Sequence, residues 1–418
     1  MSRRHRNQGR RSGVRAESAD TAPIEVDLDR FVAGGVALGR EDGGRVVLVE
    51  GALPTERAVV ELSVAKPTVA RGVAAEILRT APGRVAPPCP QVLAGCGGCD
   101  LQHASVGLQR ELKVEVVRDA LARIGRLPEV EVTPGEQLPA SGHRTVLRCA
   151  VHDGRAGLRR RRSNQVHVLD ACWVAHPAVE QILSEGRFPG AEEVIVRVGA
   201  RTGERMVVVS PRVGDASVPD GVQLVGADEL AGGHGAWIHE LVGRRRLRVS
   251  AGSFFQARPD GAEALVRAVG RALAPFDPTR DRLVDLYGGV GLFSAGLGAR
   301  GALLVERSAS SVEDARINLA PLDAQVVQAD VDQWAPVPAD AVVADPARSG
   351  LGPTGAAAVA GTGAGRVALV SCDPAALARD ARLLVDLGYR VQGVELVDMF
   401  PHTHHIEAVT TLRHGDTV

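Results

Sequence analysis

The sequence predicts an α/β protein in which a doubly wound, Rossmann-like domain closes the chain behind a small N-terminal β-barrel and a β-rich central region. Three observations carry this. From about Asp260 onward, apolar runs alternate with helical text: "RLVDLY", "ALLVERS", "AQVVQAD", "AVVADPARSG", "RVALVSC", "YRVQGVELVD" and "IEAVTTLRH". Strand and helix in alternation build a parallel sheet covered by helices. Between Ile24 and Leu78 the text instead offers short β-like runs, "IEVDLDRFV", "RVVLVEGAL", "RAVVELSVA" and "GVAAEIL", parted by glycine turns. Several strands in so short a span suit a small barrel. Residues 144–250 return to β-rich text with hairpin signals such as "VHDGRAG".

In chain order, residues 1–20 are polar and Arg-rich and read as a disordered arm suited to RNA phosphates. The barrel takes 21–80, and the proline-rich "APGRVAPPCP" marks its boundary. The central region takes 81–250. Within it, Leu108, Leu112, Val116, Ala120 and Ile124 recur at four-residue spacing, one face of an amphipathic helix over 104–126. That face is expected to pack on the final domain, 251–418. No internal repeat is visible.

The 418 residues suffice for two or three domains. No apolar stretch reaches the roughly 18 residues of a membrane span, and the N-terminus lacks the apolar core of a secretory signal. A cytoplasmic protein with no membrane partner is expected. The net charge is −1, yet the positive charge is almost all arginine, with Lys66 and Lys113 the only lysines. Arginines clump at the start, in "GLRRRRSN" and in "GRRRLRV". Such clumps suit bidentate phosphate contact, although each one alone reads as a solvated tail or turn.

Chemistry concentrates in five places. In "LVDLYGGVGLFSAGL" a strand runs into Gly288, Gly289 and Gly291 ahead of helical text, so backbone can approach a ligand at a helix start. Glu306 ends the next strand about 20 residues on, where a carboxylate binds ribose hydroxyls, and Asp330 ends the third, as suits a group near an adenine. S-adenosylmethionine and a dinucleotide fit this order equally. Asp345, in "VVADPARSG", closes the fourth strand at the ligand edge of such a sheet. It resembles the Asp-Pro-Pro-Tyr signature of amino methyltransferases, but Arg348 stands where that signature has its aromatic, which disfavours an exocyclic amine as target.

Cys372 ends the fifth strand in "SCDPAALARD", where a turn presents the thiol and a helix start favours its thiolate. Glu407, in "DMFPHTHHIEAV", starts the last strand and can act as a general base. The neighbouring His402, His404 and His405 cannot all point one way along an extended strand, and they are not read as metal ligands. Cys89, Cys96 and Cys99 in "CPQVLAGCGGC", joined by Cys172 from "VLDACW", make a four-thiolate set for an iron–sulfur cluster or zinc. Cys149 is left over and reads as a core residue of its strand.

Together these residues resemble the S-adenosylmethionine-dependent RNA uracil-C5 methyltransferases, in the branch with an N-terminal TRAM (OB-like) barrel and a [4Fe-4S] cluster. The resemblance runs from about residue 22 to the end. It implies Gln256 of "SFFQAR", Tyr287, Gly289, Gly291, Glu306, Asp330 and Asp345 as cofactor contacts, Cys372 as nucleophile and Glu407 as base. It also implies Cys89, Cys96, Cys99 and Cys172 as cluster ligands, with zinc as the alternative. Gly288 replaces a frequent cysteine, Leu292 an occasional asparagine, Arg258 a common asparagine and Ala347 a usual proline; the spacing from Cys89 to Cys96 is one residue longer than in the family.

The expected reaction is transfer of a methyl group to C5 of a uridine through a Cys372 adduct at C6. The expected partner is RNA, with ribosomal RNA favoured over transfer RNA, and the expected state is a monomer. Two other readings stand beside it. RNA cytosine-C5 methylation generally uses two active-site cysteines, whereas this catalytic domain has one. A non-catalytic, iron–sulfur RNA-binding protein would leave the set of Gln256, Glu306, Asp345, Cys372 and Glu407 without a purpose. A dehydrogenase explains the glycine loop but not Cys372 with "DPARSG".

Overall fold

The computed structural model describes residues 22–415; the Arg-rich arm expected at 1–20 lies outside the described residues. The described chain forms two compact units, 22–30 with 36–81, and 31–35 with 82–415. The first is the expected barrel. Its strands β1 (Ile24–Val32), β2 (Val36–Arg40), β3 (Val46–Glu50), β4 (Arg57–Ala65) and β5 (Val69–Arg79) close in the order β1-β2-β3-β5-β4. Alternation explains why: Val26, Leu28, Val47, Val49, Ala58 and Val60 point into one small core, while Glu25 and Asp27 face out and Glu25 pairs with Arg57. Closure leaves no unpaired edge.

The second unit holds the central and final regions together. The elements α1 (Pro90–Leu93), α2 (Val106–Ala120), β6 (Val132–Pro134), β7 (Val146–His152), β8 (Arg155–Arg159), β9 (Val166–Val168), α3 (Pro177–Glu185), β10 (Glu193–Val198), β11 (Arg205–Ser210) and β12 (Val222–Gly226) follow the barrel. Six of these strands form one sheet, β12-β11-β10-β7-β8-β9. The β7–β8 hairpin turns at Asp153 and Gly154, with φ of +49° and +70°, the doubly left-handed turn that "DG" predicts. Cys149 is fully buried in the core of this sheet, beside Leu147, Val194 and Val196.

After α4 (Ala227–Ala231), β13 (Trp237–Val242) and β14 (Arg245–Ser250) form a separate hairpin. Two of its four arginines are committed within the protein. Arg246 pairs with Glu204, and Arg248 pairs with Glu313 and Asp314 while lying 4.2 Å from the centre of the Trp237 ring. The clump at 243–249, which alone reads as a solvated turn, is therefore in part a structural anchor.

Helix α2 starts where expected, with Ser105 Oγ accepting from Leu108 N at 3.4 Å. It ends in a π-helical turn over Leu121–Gly125. That wider turn shifts the register, so Ile124 rotates out and is 44% exposed, and Leu112, Val116, Val117 and Ala120 carry the buried face. Gln109 and Lys113 are buried on it as well.

The remaining elements are α5 (Pro259–Leu273), β15 (Leu283–Leu286), α6 (Leu292–Leu297), β16 (Leu303–Glu306), α7 (Ala309–Leu319), β17 (Gln325–Gln328), β18 (Ala341–Ala344), α8 (Gly352–Gly361), β19 (Arg366–Ser371), α9 (Pro374–Asp386), β20 (Tyr389–Leu396) and β21 (Ala408–His414). Their sheet runs β17-β16-β15-β18-β19-β21-β20-β6. Its five strands from β17 to β19 are parallel, as expected, but β21 is antiparallel to both neighbours. No helix separates β20 from β21, so the chain returns directly and the strand must reverse. The short β6 extends the edge beside β20, and α2 packs on α9.

Candidate active site and cysteine pocket

The order of the strands puts the ends of β15, β16, β18 and β19 side by side, and most predicted site residues lie at or just past them. At the end of β15, Tyr287 sits at φ +58°, an uncommon conformation for an aromatic residue and one that clusters at functional sites. Gly291 follows at φ +90° and caps α6. Gly288 has its own reason: a Cβ there would lie 2.5 Å from Leu304 Cγ, so a side chain fits only if Leu304 shifts.

The carboxylate of Glu306 accepts hydrogen bonds from Gly289 N at 3.1 Å and Ser308 N at 2.7 Å, which fixes it over the glycine loop. Asp330 lies two residues beyond β17 and accepts from Asp332 N at 3.2 Å. It is close enough for its charge, with those of Asp332 and Asp380, to help burial push the Tyr287 hydroxyl up to about 12. Gln256 is buried just before α5, and its neighbour Phe254 is 71% exposed. Asp285, which sequence reasoning missed, is fully buried; Oδ2 accepts from Ser294 Oγ at 2.6 Å, whereas Oδ1 has no partner. Burial pushes its carboxyl up to about 6. Its place one turn before the glycine loop was the available signal.

Cys372 follows β19 directly, and Asp373 Oδ1 caps α9 by accepting from Ala376 N at 2.8 Å. The thiol is half-buried. Its ionisation corrects the expected depression: burial, then Glu407, then Asp345 push it up to about 11, and only Arg348 among the neighbouring charges pulls it down. Burial is the largest cause, and the two facing carboxylates add to it. Burial, with the charge of Asp285, pushes Asp345 up to about 7. Burial and Asp345 hold Glu407 well above the usual carboxylate range, opposed by Arg348. Glu407 lies one residue before β21 rather than within it, in the loop that returns from β20; Val397 N donates to its carbonyl at 2.8 Å.

The structure thus gathers Cys372, Glu407 and Asp345 into one electrostatically linked group and adds Arg348, which sequence reasoning had weighed only as a missing aromatic. Arg348 is exposed and faces three groups, Cys372, Glu407 and His405. A loop anchor was also missed: Asp380 on α9 accepts from Leu351 N at 2.7 Å and Gly352 N at 3.1 Å, holding the segment that carries Asp345 and Arg348.

Cys89, Cys96, Cys99 and Cys172 line a single pocket, closed otherwise mainly by apolar side chains that include Leu147, Leu158 and Leu169. The loop is fastened by Cys89 N donating to Gln102 Oε1 at 3.1 Å and Gly97 N donating to Arg159 O at 3.1 Å. Burial pushes the Cys99 thiol up to about 12 and raises those of Cys96 and Cys172. Among the described residues no group of three or more His, Cys, Asp or Glu side chains is arranged to hold a metal ion as it stands. The donor chemistry nevertheless fits a thiophilic centre: four thiols, a dry wall and the partnerless Nε2 of Gln102 meet in one place.

Comparison with known proteins bears on the family and the fold. Residues 330–414 match the family model described as tRNA (Uracil-5-)-methyltransferase. An uncharacterized RNA methyltransferase of Streptomyces avermitilis is 38% identical over 93% of this chain and 97% of its own. The 23S rRNA (uracil(1939)-C(5))-methyltransferase RlmD of Chromohalobacter salexigens is 31% identical over 96% of this chain and 92% of its own. The fold matches that of the Pyrococcus abyssi tRNA (uracil-54, C5)-methyltransferase, solved with S-adenosyl-L-homocysteine, at a TM-score of 0.70 and 24% identity, covering 93% of this chain and 99% of that one.

Proposed function

Because this chain belongs to the family of RNA uracil-C5 methyltransferases, we propose that it transfers the methyl group of S-adenosylmethionine to C5 of a uridine in ribosomal RNA. The observation that carries the reading is the linked group of Asp345 and Cys372, just past the carboxyl ends of adjacent β18 and β19, with Glu407, just before the start of antiparallel β21. Uracil C5 is a poor nucleophile. Addition of the Cys372 thiolate to C6 moves the C5–C6 π pair onto the ring as an enolate, which takes the methyl carbon as its bond to sulfur breaks. Glu407 then removes the C5 proton; the C–H pair restores the double bond and expels the thiolate. Before this, Arg348 favours the charged forms of both Cys372 and Glu407, and a bound sulfonium adds a second positive charge.

Gln256, Tyr287, Gly289, Gly291, Glu306, Asp330 and Asp345 are the proposed cofactor contacts, with Glu306 on the ribose hydroxyls. The target base must leave its stack to reach the thiol, and exposed Phe254 beside Gln256 offers a stacking face. The barrel, read as a TRAM module, and the exposed arginines 159–162 hold surrounding RNA in a cytoplasmic, monomeric enzyme. Cys89, Cys96, Cys99 and Cys172 would hold a [4Fe-4S] cluster, or zinc in its place. Such a centre supplies a cross-link between the cysteine loop and the segment after β9. Ribosomal RNA is favoured over transfer RNA by the four-cysteine pocket and by the relative that acts on 23S rRNA.

Mapping 5-methyluridine in RNA from a deletion strain tests the reading. One site in ribosomal RNA should lose its methyl group and regain it on complementation with the wild-type gene, but not with Cys372→Ala. Loss confined to transfer RNA would move the substrate assignment, and loss of 5-methylcytidine instead would replace the chemistry.

A further inference from the structure

The loop between β20 and β21 carries Glu407 and has a few hydrogen bonds of its own, such as Thr403 N to Phe400 O at 3.2 Å, but side chains far from it in sequence also hold it. Lys113 Nζ, buried on α2, donates to Asp398 Oδ1 at 2.6 Å and to Phe400 O at 2.9 Å. Arg258, fully buried, donates to Met399 O at 3.3 Å and Pro139 O at 3.0 Å, with Asp260 as its ion pair. Gln109 accepts from His402 N at 2.6 Å, while its amide donates to Leu101 O and Ala104 O at 3.1 and 2.8 Å. The His402 carbonyl accepts from Asp100 N at 3.0 Å and Leu101 N at 2.9 Å. Asp100 Oδ1 accepts from His404 N at 2.8 Å, and its other oxygen contacts the His404 ring.

His402 itself stands at φ +69°, a conformation that a non-glycine residue keeps only where its surroundings impose it. Here they do so through both of its backbone polar groups. The anchoring side chains come from the cysteine loop, from α2 and from the segment before α5, and none of them needs to touch RNA or cofactor to act.

We infer that Asp100, Gln109, Lys113 and Arg258 are positioning residues that clamp the 398–405 loop and thereby aim Glu407 at the C5 proton. The inference rests on Glu407 being the base. It also accounts for two buried charges that the core alone does not explain, Lys113 in α2 and Arg258 just before α5. A clamp on the base, unlike a general scaffold, affects the second half of the reaction. Cys372 still adds to C6 and C5 still takes the methyl group, but proton removal and expulsion of the thiolate slow, so the covalent RNA adduct builds up.

The test uses the full-length chain, S-adenosylmethionine and undermethylated RNA from a deletion strain. It compares Gln109→Met, Asp100→Asn and Glu407→Gln for kcat, KM and the fraction of protein in a denaturant-stable RNA adduct. Gln109→Met should lower kcat on the order of tenfold to a hundredfold, the scale of a small misplacement of a catalytic group. KM should stay within about twofold and the adduct should accumulate as in Glu407→Gln. The milder Asp100→Asn, which keeps an acceptor for His404 N, should move the same way by a few-fold. Unchanged S-adenosylmethionine binding in calorimetry certifies that each variant is folded. Adduct accumulation in Glu407→Gln without any in the folded clamp variants overturns the clamp alone. No adduct in Glu407→Gln itself overturns the base assignment, and the clamp with it.

Discussion

The thiols of Cys372 and Cys99 are both pushed up by burial, to about 11 and about 12, yet their surroundings differ in kind. Cys372 faces Arg348 and two carboxylates whose own charges are suppressed. Cys99 faces three more thiols and an apolar wall. One site is arranged so that an arriving cation releases a single nucleophile. The other becomes favourable only if one cation is shared among several thiolates. Burial alone does not tell a reactive cysteine from a ligand; the charges facing it do.

The sharpest break of this comparison is Cys372→Ala. It should abolish the RNA adduct and lower methyl transfer by about a thousandfold or more, because no other described group near Glu407 can add to C6. Residual transfer at an appreciable rate would remove the covalent route. Cys99→Ser should act in the opposite pattern. Iron or zinc content of anaerobically purified protein should fall to background, with the melting temperature dropping by several degrees, while S-adenosylmethionine binding stays within about threefold. Wild-type protein that is colourless and free of both metals would reduce the pocket to a set of packed thiols.

Arg348→Ala is expected next in size. In the free enzyme burial disfavours the charged forms of both Cys372 and Glu407, which are the forms that act, so kcat/KM should rise with pH across the neutral range. Arg348 favours the charged form of each. Its removal should shift the profile to higher pH and cost about tenfold at neutral pH, with partial recovery on alkaline assay. A uniform loss at every pH would assign Arg348 to RNA contact alone.

Much of this was legible in the sequence because it was written in local patterns. The glycine loop, "DPARSG" and "SCDPAALARD" each join a strand to its ligand-side turn, so position within the motif located Asp345 and Cys372 at once. The "DG" of β7–β8 likewise announced its turn. What escaped depends on contacts distant in sequence. Ile124 turned outward because a π-helical turn altered the register. The reversal of β21 followed from a missing helix rather than from any residue in the strand. Lys113 reads as a break in an apolar face until Asp398 stands opposite it. The expected lowering of the Cys372 thiol failed for the same reason, since the burial that raises it, and the carboxylates that add to it, come from other segments.

The smallest expected effect concerns Asp345, whose carboxyl burial and Asp285 push up to about 7. A carboxyl raised above its unfolded value near 4 favours the fold while protonated. That contribution is fully present below the unfolded value and fades as pH rises toward 7, leaving a buried negative charge above it. A sulfonium bound beside Asp345 compensates that charge. S-adenosylmethionine should therefore bind with release of a fraction of a proton near pH 7, and several-fold more tightly at pH 8 than at pH 6, within the limit of about tenfold per pH unit set by a single proton. Its stabilisation against heat should grow over the same interval. Calorimetry in two buffers of unequal ionisation enthalpy measures the proton directly, and Asp345→Asn should erase both the proton and the pH dependence. If both survive in that variant, Glu407, which shares the same electrostatic group, carries the linkage instead, and the division of labour between cofactor contact and base would have to be redrawn.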